Sequence, residues 1–137
     1  MLKIPQAEIK FISNREAVLT KDLVIKFDGL TFRIKKGYPT DGASIPFIFW
    51  SLGLHPYQGK TLSPAVFHDI LYESETYSRT CADNNFLFLM RKNGVSFIKR
   101  TLFFLAVRLC GWGARLGHTV GSVENARQYL QITKSVL

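Results

Sequence analysis

His68, Asp69 and Tyr72 stand close together in a segment of helical character, and Asp83 follows in the next such segment. Residues four apart share one side of a helix, so His68 and Tyr72 fall on the same face with Asp69 beside them. Two antiparallel helices joined by a short loop would bring Asp83 opposite His68. The spacing therefore predicts one polar site built from two consecutive helices.

These residue types provide what hydrolysis by water requires. His68 would be the general base on a water molecule, with Asp83 and Tyr72 orienting its ring. Asp69 would be a hard oxygen ligand for a divalent cation that stabilises the oxyanion. The alternative interpretation is a buried polar network that only joins loops and helices.

A second polar cluster, Thr40-Asp41-Gly42-Ala43-Ser44-Ile45-Pro46, lies in a loop. Asp41 would either complete a metal site with Asp69 or fold this loop through bonds to backbone N–H groups. His55, in the turn-rich segment that follows, is a further candidate ligand. No GxSxG, P-loop, GxGxxG or HExxH motif is present, so no organic cofactor is indicated.

The elements that must position these residues begin with strands. Leu23–Phe27 and Leu30–Ile34 flank Asp28-Gly29, which is a strong signal for a two-residue hairpin turn. Shorter strands are expected at 7–12 and 17–19. A long loop over about 37–62, with packed aromatic residues at Phe47, Phe49 and Trp50, then separates the strands from the helices.

Helices are expected in the remainder of the chain. Ser63 with Pro64 predicts a helix start, Gly94 a helix stop and Ser96 a further N-cap. The predicted helices run over 63–73, 80–93, 96 to about 110, and 122–134. Strands first and helices after indicate an α+β fold: an N-terminal hairpin or small antiparallel sheet, then a bundle of three to four helices. We expect one domain, strand-rich over about 7–36 and helical over 63–134.

The basic residues are spread along the chain without a run of five, so a solvated basic surface is the first interpretation and an anionic partner the alternative. The 137 residues include 18 Lys and Arg against 10 Asp and Glu, a formal charge of +8. A phospholipid surface, nucleic acid or an acidic protein would each be attracted. Basic and aromatic residues do not alternate on any one segment, so nucleic-acid binding has no motif behind it.

The chain has the features of a protein made in a reducing cytoplasm. Cys81 and Cys110 are too few for a disulfide framework and form no CxxC pair. The start, MLKIPQAEIKF, lacks the apolar core of a signal peptide. The most apolar stretch is interrupted by charges that disfavour a membrane-spanning helix, namely Lys99, Arg100 and Arg108.

The ordered strings TDGASIP, HDILY, ADNNF and AVRLCGWGARL resemble a family of small phage and prophage proteins of unknown function. The resemblance runs from about Leu23 to Arg115. It implies a viral or prophage origin, for which a virion-associated protein made in the bacterial host cytoplasm is one expectation, and it supplies no activity.

HDILY followed by ADNNF also resembles the core of secretory and parvoviral phospholipases, over Phe67 to Phe86. The resemblance implies that His68 activates water, Asp69 binds calcium, and Tyr72 and Asp83 brace the histidine. The glycine-rich calcium loop of those enzymes has no counterpart before His68. Either 37–44 or 53–59 would have to substitute for it.

Three functions follow from these observations. The leading hypothesis is a phage-encoded hydrolase that cleaves a phospholipid ester with help from a divalent metal. The second is a virion or assembly protein, multimeric and bound to other phage proteins, in which the same residues only hold the fold. The third is a metal-dependent cell-wall amidase or peptidase, ranked lower because only His55 and His118 remain as further zinc ligands.

Overall fold

The computed structural model describes the backbone of residues 4–13, 17–40, 59–116 and 120–135, and their side chains except those of 110–116 and 120. The strands are β1 (Ile9–Phe11), β2 (Ala17–Leu19), β3 (Leu23–Phe27), β4 (Leu30–Ile34), β5 (Pro39–Thr40) and β6 (Leu130–Lys134). The helices are α1 (Gly59–Glu73), α2 (Arg79–Lys92), α3 (Phe97–Leu116) and α4 (Val120–Arg127). The predicted α+β fold, with N-terminal strands before the helices, is confirmed.

The hairpin of β3 and β4 has the predicted bounds and turn. Phe27 pairs with Leu30, which leaves Asp28 and Gly29 as the two turn residues. Their φ angles are 50° and 72°, and a turn with both central residues at positive φ matches the twist of the two strands. Alternate side chains along both strands are buried and form one face of the core: Leu23, Ile25, Phe32 and Ile34.

The strands form two antiparallel sheets, in the orders β1-β2-β5 and β3-β4-β6. The last strand corrects the prediction of a helix over 122–134, because α4 ends at Arg127 and residues 130–134 pair with β4. Leu130 and Ile132 alternate with polar residues, which is the pattern of a half-buried strand. The edge strand β4 offers backbone hydrogen bonds to residues 130–134, and these bonds stabilise a strand in place of the predicted helix.

Helix α1 begins at Gly59, before the predicted start at Ser63 and Pro64. Ser63 is not an N-cap: its hydroxyl accepts from the Ala7 N–H at 2.7 Å and donates to the Pro5 carbonyl at 2.6 Å. Pro64 therefore lies inside the helix, where it has no N–H to donate to the Lys60 carbonyl. Asn93 donates its side-chain amide to that carbonyl at 2.6 Å instead, so α1 tolerates the proline.

Helix α2 begins at Arg79, one residue before its predicted start and after an N-cap that was not predicted, whereas the predicted signals Gly94 and Ser96 are confirmed. Ser78 caps α2 by accepting from the Cys81 N–H, and Gly94 follows its end with φ 80°. The Ser96 hydroxyl accepts from the Lys99 N–H at 3.4 Å at the start of α3. Helix α3 continues beyond Cys110 to Leu116.

Two clusters of buried apolar residues hold these elements together. One lies between the sheets and the inner face of α1 and includes Phe32, Phe67 and Ile70. The other joins α1, α2 and α3 through Ala65, Phe86, Met90, Val95, Phe103 and Val107. The loop predicted over about 37–62 is wrong at both ends, because Pro39–Thr40 form β5 and α1 begins at Gly59. Residues 41–58, with the aromatic residues of that loop, lie outside the described ranges. Within those ranges, no helix combines the length and apolar character needed to cross a membrane.

Candidate active site

The structure brings His68 of α1 and Asp83 of α2 into direct contact. Nε2 of His68 lies 2.6 Å from Oδ1 of Asp83. Both residues are buried, with 5 % and 0 % of their surfaces exposed. The two helices pack along each other because apolar residues on either side of this pair, including Phe67 and Phe86, enter the core. The predicted proximity of Asp83 to His68 is therefore observed.

Sequence reasoning missed Arg108, the third member of this network. Its Nη1 donates to Oδ2 of Asp83 at 3.0 Å and to the Thr80 hydroxyl at 3.4 Å. The available signal was a cation within the apolar run of α3. Burial of a cation costs free energy unless a carboxylate pairs with it. Arg79 adds a bond from its Nη2 to the Arg108 carbonyl, and this bond ties the start of α2 to α3.

Asp83 remains ionised despite its burial. Removal from water would raise the pKa of this carboxyl group, but the hydrogen bonds and charges of His68 and Arg108 outweigh that effect and lower the pKa overall. An ionised Asp83 accepts from both neighbours, so a proton of the His68 ring is assigned to Nε2. In the tautomer that carries only this proton, Nδ1 holds the available lone pair.

The Nδ1 atom of His68 is buried, and no described residue offers it a hydrogen bond. The ring is held between two aromatic side chains, with centroid distances of 5.7 Å to Tyr72 and 5.0 Å to Phe86. Tyr72 stacks on the imidazole at an interplanar angle of 27°. Tyr72 thus contacts the ring by stacking on it, which is one way of orienting it.

Asp69 is directed to a different neighbour. Its Oδ2 accepts from the Thr40 hydroxyl at 2.7 Å, and both residues are buried. Thr40 ends β5, so this bond connects α1 to the sheet that precedes residues 41–58. Asp41 and His55, the other candidate ligands, lie outside the described residues. Among the described residues no three His, Cys, Asp or Glu side chains converge on one point, and the metal site stays a prediction.

Comparison with known proteins places the chain among proteins of unknown function. A family model described as "Protein of unknown function (DUF1353)" matches residues 17–107, a range that contains His68, Asp69, Tyr72 and Asp83. The chain is 42 % identical over 86 residues to the "Uncharacterized protein y4jT" of Sinorhizobium fredii. That match covers 61 % of this chain and 25 % of the relative, so the chain spans about a quarter of that protein.

No solved structure matches the chain. The phage origin and the phospholipase resemblance rest on the sequence motifs alone and remain expectations.

Proposed function

Because the chain belongs to a family of proteins of unknown function, DUF1353, we propose its function from its own residues: hydrolysis of a carboxylic ester by water, with His68 as general base. One observation carries the proposal. The Nδ1 atom of His68 is buried with no hydrogen-bond partner among the described residues, while its other nitrogen is firmly bound. Buried polar atoms of purely structural side chains normally have partners, and leaving one without costs about 1–3 kcal/mol.

The proposed reaction uses the two ring nitrogens differently. Nδ1 takes a proton from a water molecule as its oxygen attacks the ester carbonyl, which gives a tetrahedral intermediate and an imidazolium ring. The imidazolium then returns that proton to the leaving alkoxide as the C–O bond breaks. Asp83, 2.6 Å from Nε2, stabilises the imidazolium during this interval. Arg108 adds to the effect of His68 in lowering the pKa of Asp83 and is a positioning residue.

The proposed substrate is a phospholipid ester, with calcium as the assisting ion. This part rests on the order of the HDILY and ADNNF motifs and on the formal charge of +8, which suits an anionic lipid surface. Asp69 would contribute a carboxylate oxygen to the ion together with Asp41. When bound, calcium would stabilise the negative charge that develops on the carbonyl oxygen.

The test is hydrolysis of phosphatidylglycerol vesicles by the full chain in the presence of calcium, with zinc and manganese in parallel. His68→Gln should abolish release of fatty acid while leaving the circular dichroism spectrum unchanged. Asn93→Ala is the matched control, since it removes a structural bond to Lys60 away from the site. That control should keep its activity. Absence of turnover by the wild type with all three metals would overturn the proposal.

The burial of the network favours a second candidate, a non-enzymatic assembly protein. His68, Asp83 and Arg108 connect three helices, and Asp83 has no exposed surface. In that case His68→Gln would lower the melting temperature without the loss of any activity. The wild-type protein would then form discrete oligomers or co-purify with particles.

A further inference from the structure

Helix α3 carries a stripe of large apolar side chains that face solvent. Ile98, Leu102, Leu105 and Leu109 recur at intervals of four and three residues, which places them on one side of the helix. Their exposed fractions are 72 %, 39 %, 47 % and 78 %. The opposite side of α3 is buried through Phe103, Ala106 and Val107. Contiguous exposed apolar surface of this kind marks an interaction site.

The segment of sequence that contains α3 is basic. Residues 84–123 contain no Asp or Glu and six Lys and Arg residues. Arg108 is paired with Asp83, whereas Lys99 and Arg100 of α3 have no carboxylate partner among the described ion pairs. A cavity of about 380 Å³ lies where α1 and α3 begin, and both Lys60 and Lys99 line it. Lys99 directly follows Ile98 in α3, so cationic groups border the stripe at that end.

We infer that the stripe of α3 docks the protein on an anionic phospholipid surface. An apolar stripe beside lysine and arginine is the composition by which a helix lies in the plane of a membrane interface. Each cation near an anionic surface contributes about 1 kcal/mol. A second copy of the chain is a poorer occupant, because pairing two such stripes would bring the bordering cations of both copies together.

This inference rests on the proposed function for its choice of lipid. It adds the surface through which the protein would bind the membrane that contains the substrate. The two remain separable by experiment. Docking requires neither His68 nor hydrolysis, so His68→Gln should bind vesicles as the wild type does. Hydrolysis of a short-chain monomeric ester requires no docking.

The test is co-sedimentation of the full chain with vesicles of phosphatidylglycerol or phosphatidylcholine. Binding should require the anionic lipid and should weaken as sodium chloride is raised. The double variant Ile98→Asp/Leu109→Asp should bind about tenfold more weakly or worse. Its matched control is Phe11→Asp/Ile12→Asp, in which two similarly exposed residues, at 53 % and 57 %, receive the same charges. The control should lose less than twofold.

Four results would overturn the inference. They are absence of vesicle binding by the wild type, equal binding to both lipids, equal losses in the two double variants, and a wild-type dimer that Ile98→Asp/Leu109→Asp converts to monomer. The last result would assign the stripe to a second copy. Vesicle binding by the wild type without ester hydrolysis would leave the docking surface intact and remove only the proposed function.

Discussion

Nη1 of Arg108 lies 3.0 Å from Oδ2 of Asp83, on the carboxylate oxygen that His68 does not contact. A single buried carboxylate therefore serves two cationic or potentially cationic partners from two other helices. Because both partners bind the same carboxylate, the free-energy cost of removing one partner depends on whether the other is present. The orientation of the His68 ring depends on a residue of α3 that it does not touch.

Replacement of Asp83 by Asn should lower the free energy of unfolding by about 3 kcal/mol, because Arg108 then faces a buried site without its carboxylate. Arg108→Met alone should cost less, since Asp83 keeps its bond to His68. The double variant should be more stable than the sum of the single losses predicts, by at least about 1 kcal/mol. Urea denaturation at pH 7 measures the cycle, and additive losses would contradict the coupling.

The stability that Asp83 contributes should depend on pH with a definite sign. Its pKa is lowered in the folded protein, whereas in the unfolded chain it takes the ordinary value of about 3.9. The contribution is thus fully present above that ordinary value and is lost as the pH falls through the lower, folded value.

The measurement is the difference in unfolding free energy between the wild type and Asp83→Asn, followed from pH 7 to pH 3. That difference should narrow at the acidic end. The pKa of Asp22 is also lowered, mainly by the hydrogen bond from the Lys36 N–H and to a lesser extent by Arg33. Because Asp22 is present in both proteins, its contribution to the difference cancels. A difference that stays constant down to pH 3 would show that Asp83 does not titrate as described.

The bond from Asn93 to the Lys60 carbonyl should be replaceable by a backbone donor. Asn93→Ala removes the donor and should cost about 1 kcal/mol. Pro64→Ala restores the N–H that a regular helix would offer to the same carbonyl. In the Asn93→Ala background it should therefore recover part of the loss, as measured by thermal unfolding. Absence of any recovery would place the role of Asn93 elsewhere.

Gly29→Ala should destabilise the hairpin through the backbone alone. The φ of Gly29 is 72°, and a Cβ atom built there meets nothing within 4 Å. The loss should therefore be the cost of a left-handed conformation, about 1 kcal/mol. Gly29→Asn should lose less, because asparagine tolerates that region better. A comparison of melting temperatures decides, and equal losses would point to a cause other than φ.

The parts of the fold that were predictable depend on neighbours in the sequence. Asp28-Gly29 encodes its own turn, and Ser96 and Gly94 mark helix ends by local hydrogen bonds and backbone angles. The contact between His68 and Asp83 was predictable because a single short loop joins their helices. Each of these relationships needs only a few consecutive residues.

The parts that were missed depend on tertiary partners. Arg108 reaches Asp83 only once α3 has packed on α2. The residues adjacent to Arg108 in the sequence do not indicate which carboxylate it will bind. Ser63 looks like an N-cap until Pro5 and Ala7 occupy its hydroxyl. Residues 130–134 form a strand on the edge of β4; their short alternation of apolar and polar residues was read as the continuation of a helix because it does not name the strand with which it pairs.

The pairing of β6 with β4 also constrains how the chain acquires its structure during synthesis. Thr31 and Ser135, whose hydroxyls are 2.9 Å apart, are separated by 104 positions. The hairpin therefore keeps an open edge until residues 130–134 have left the ribosome, long after the helices that carry His68 and Asp83. An open edge is a template for pairing with other chains, and late closure of this kind is slow. Nascent molecules are therefore expected to expose the unpaired edge of β4 until β6 emerges.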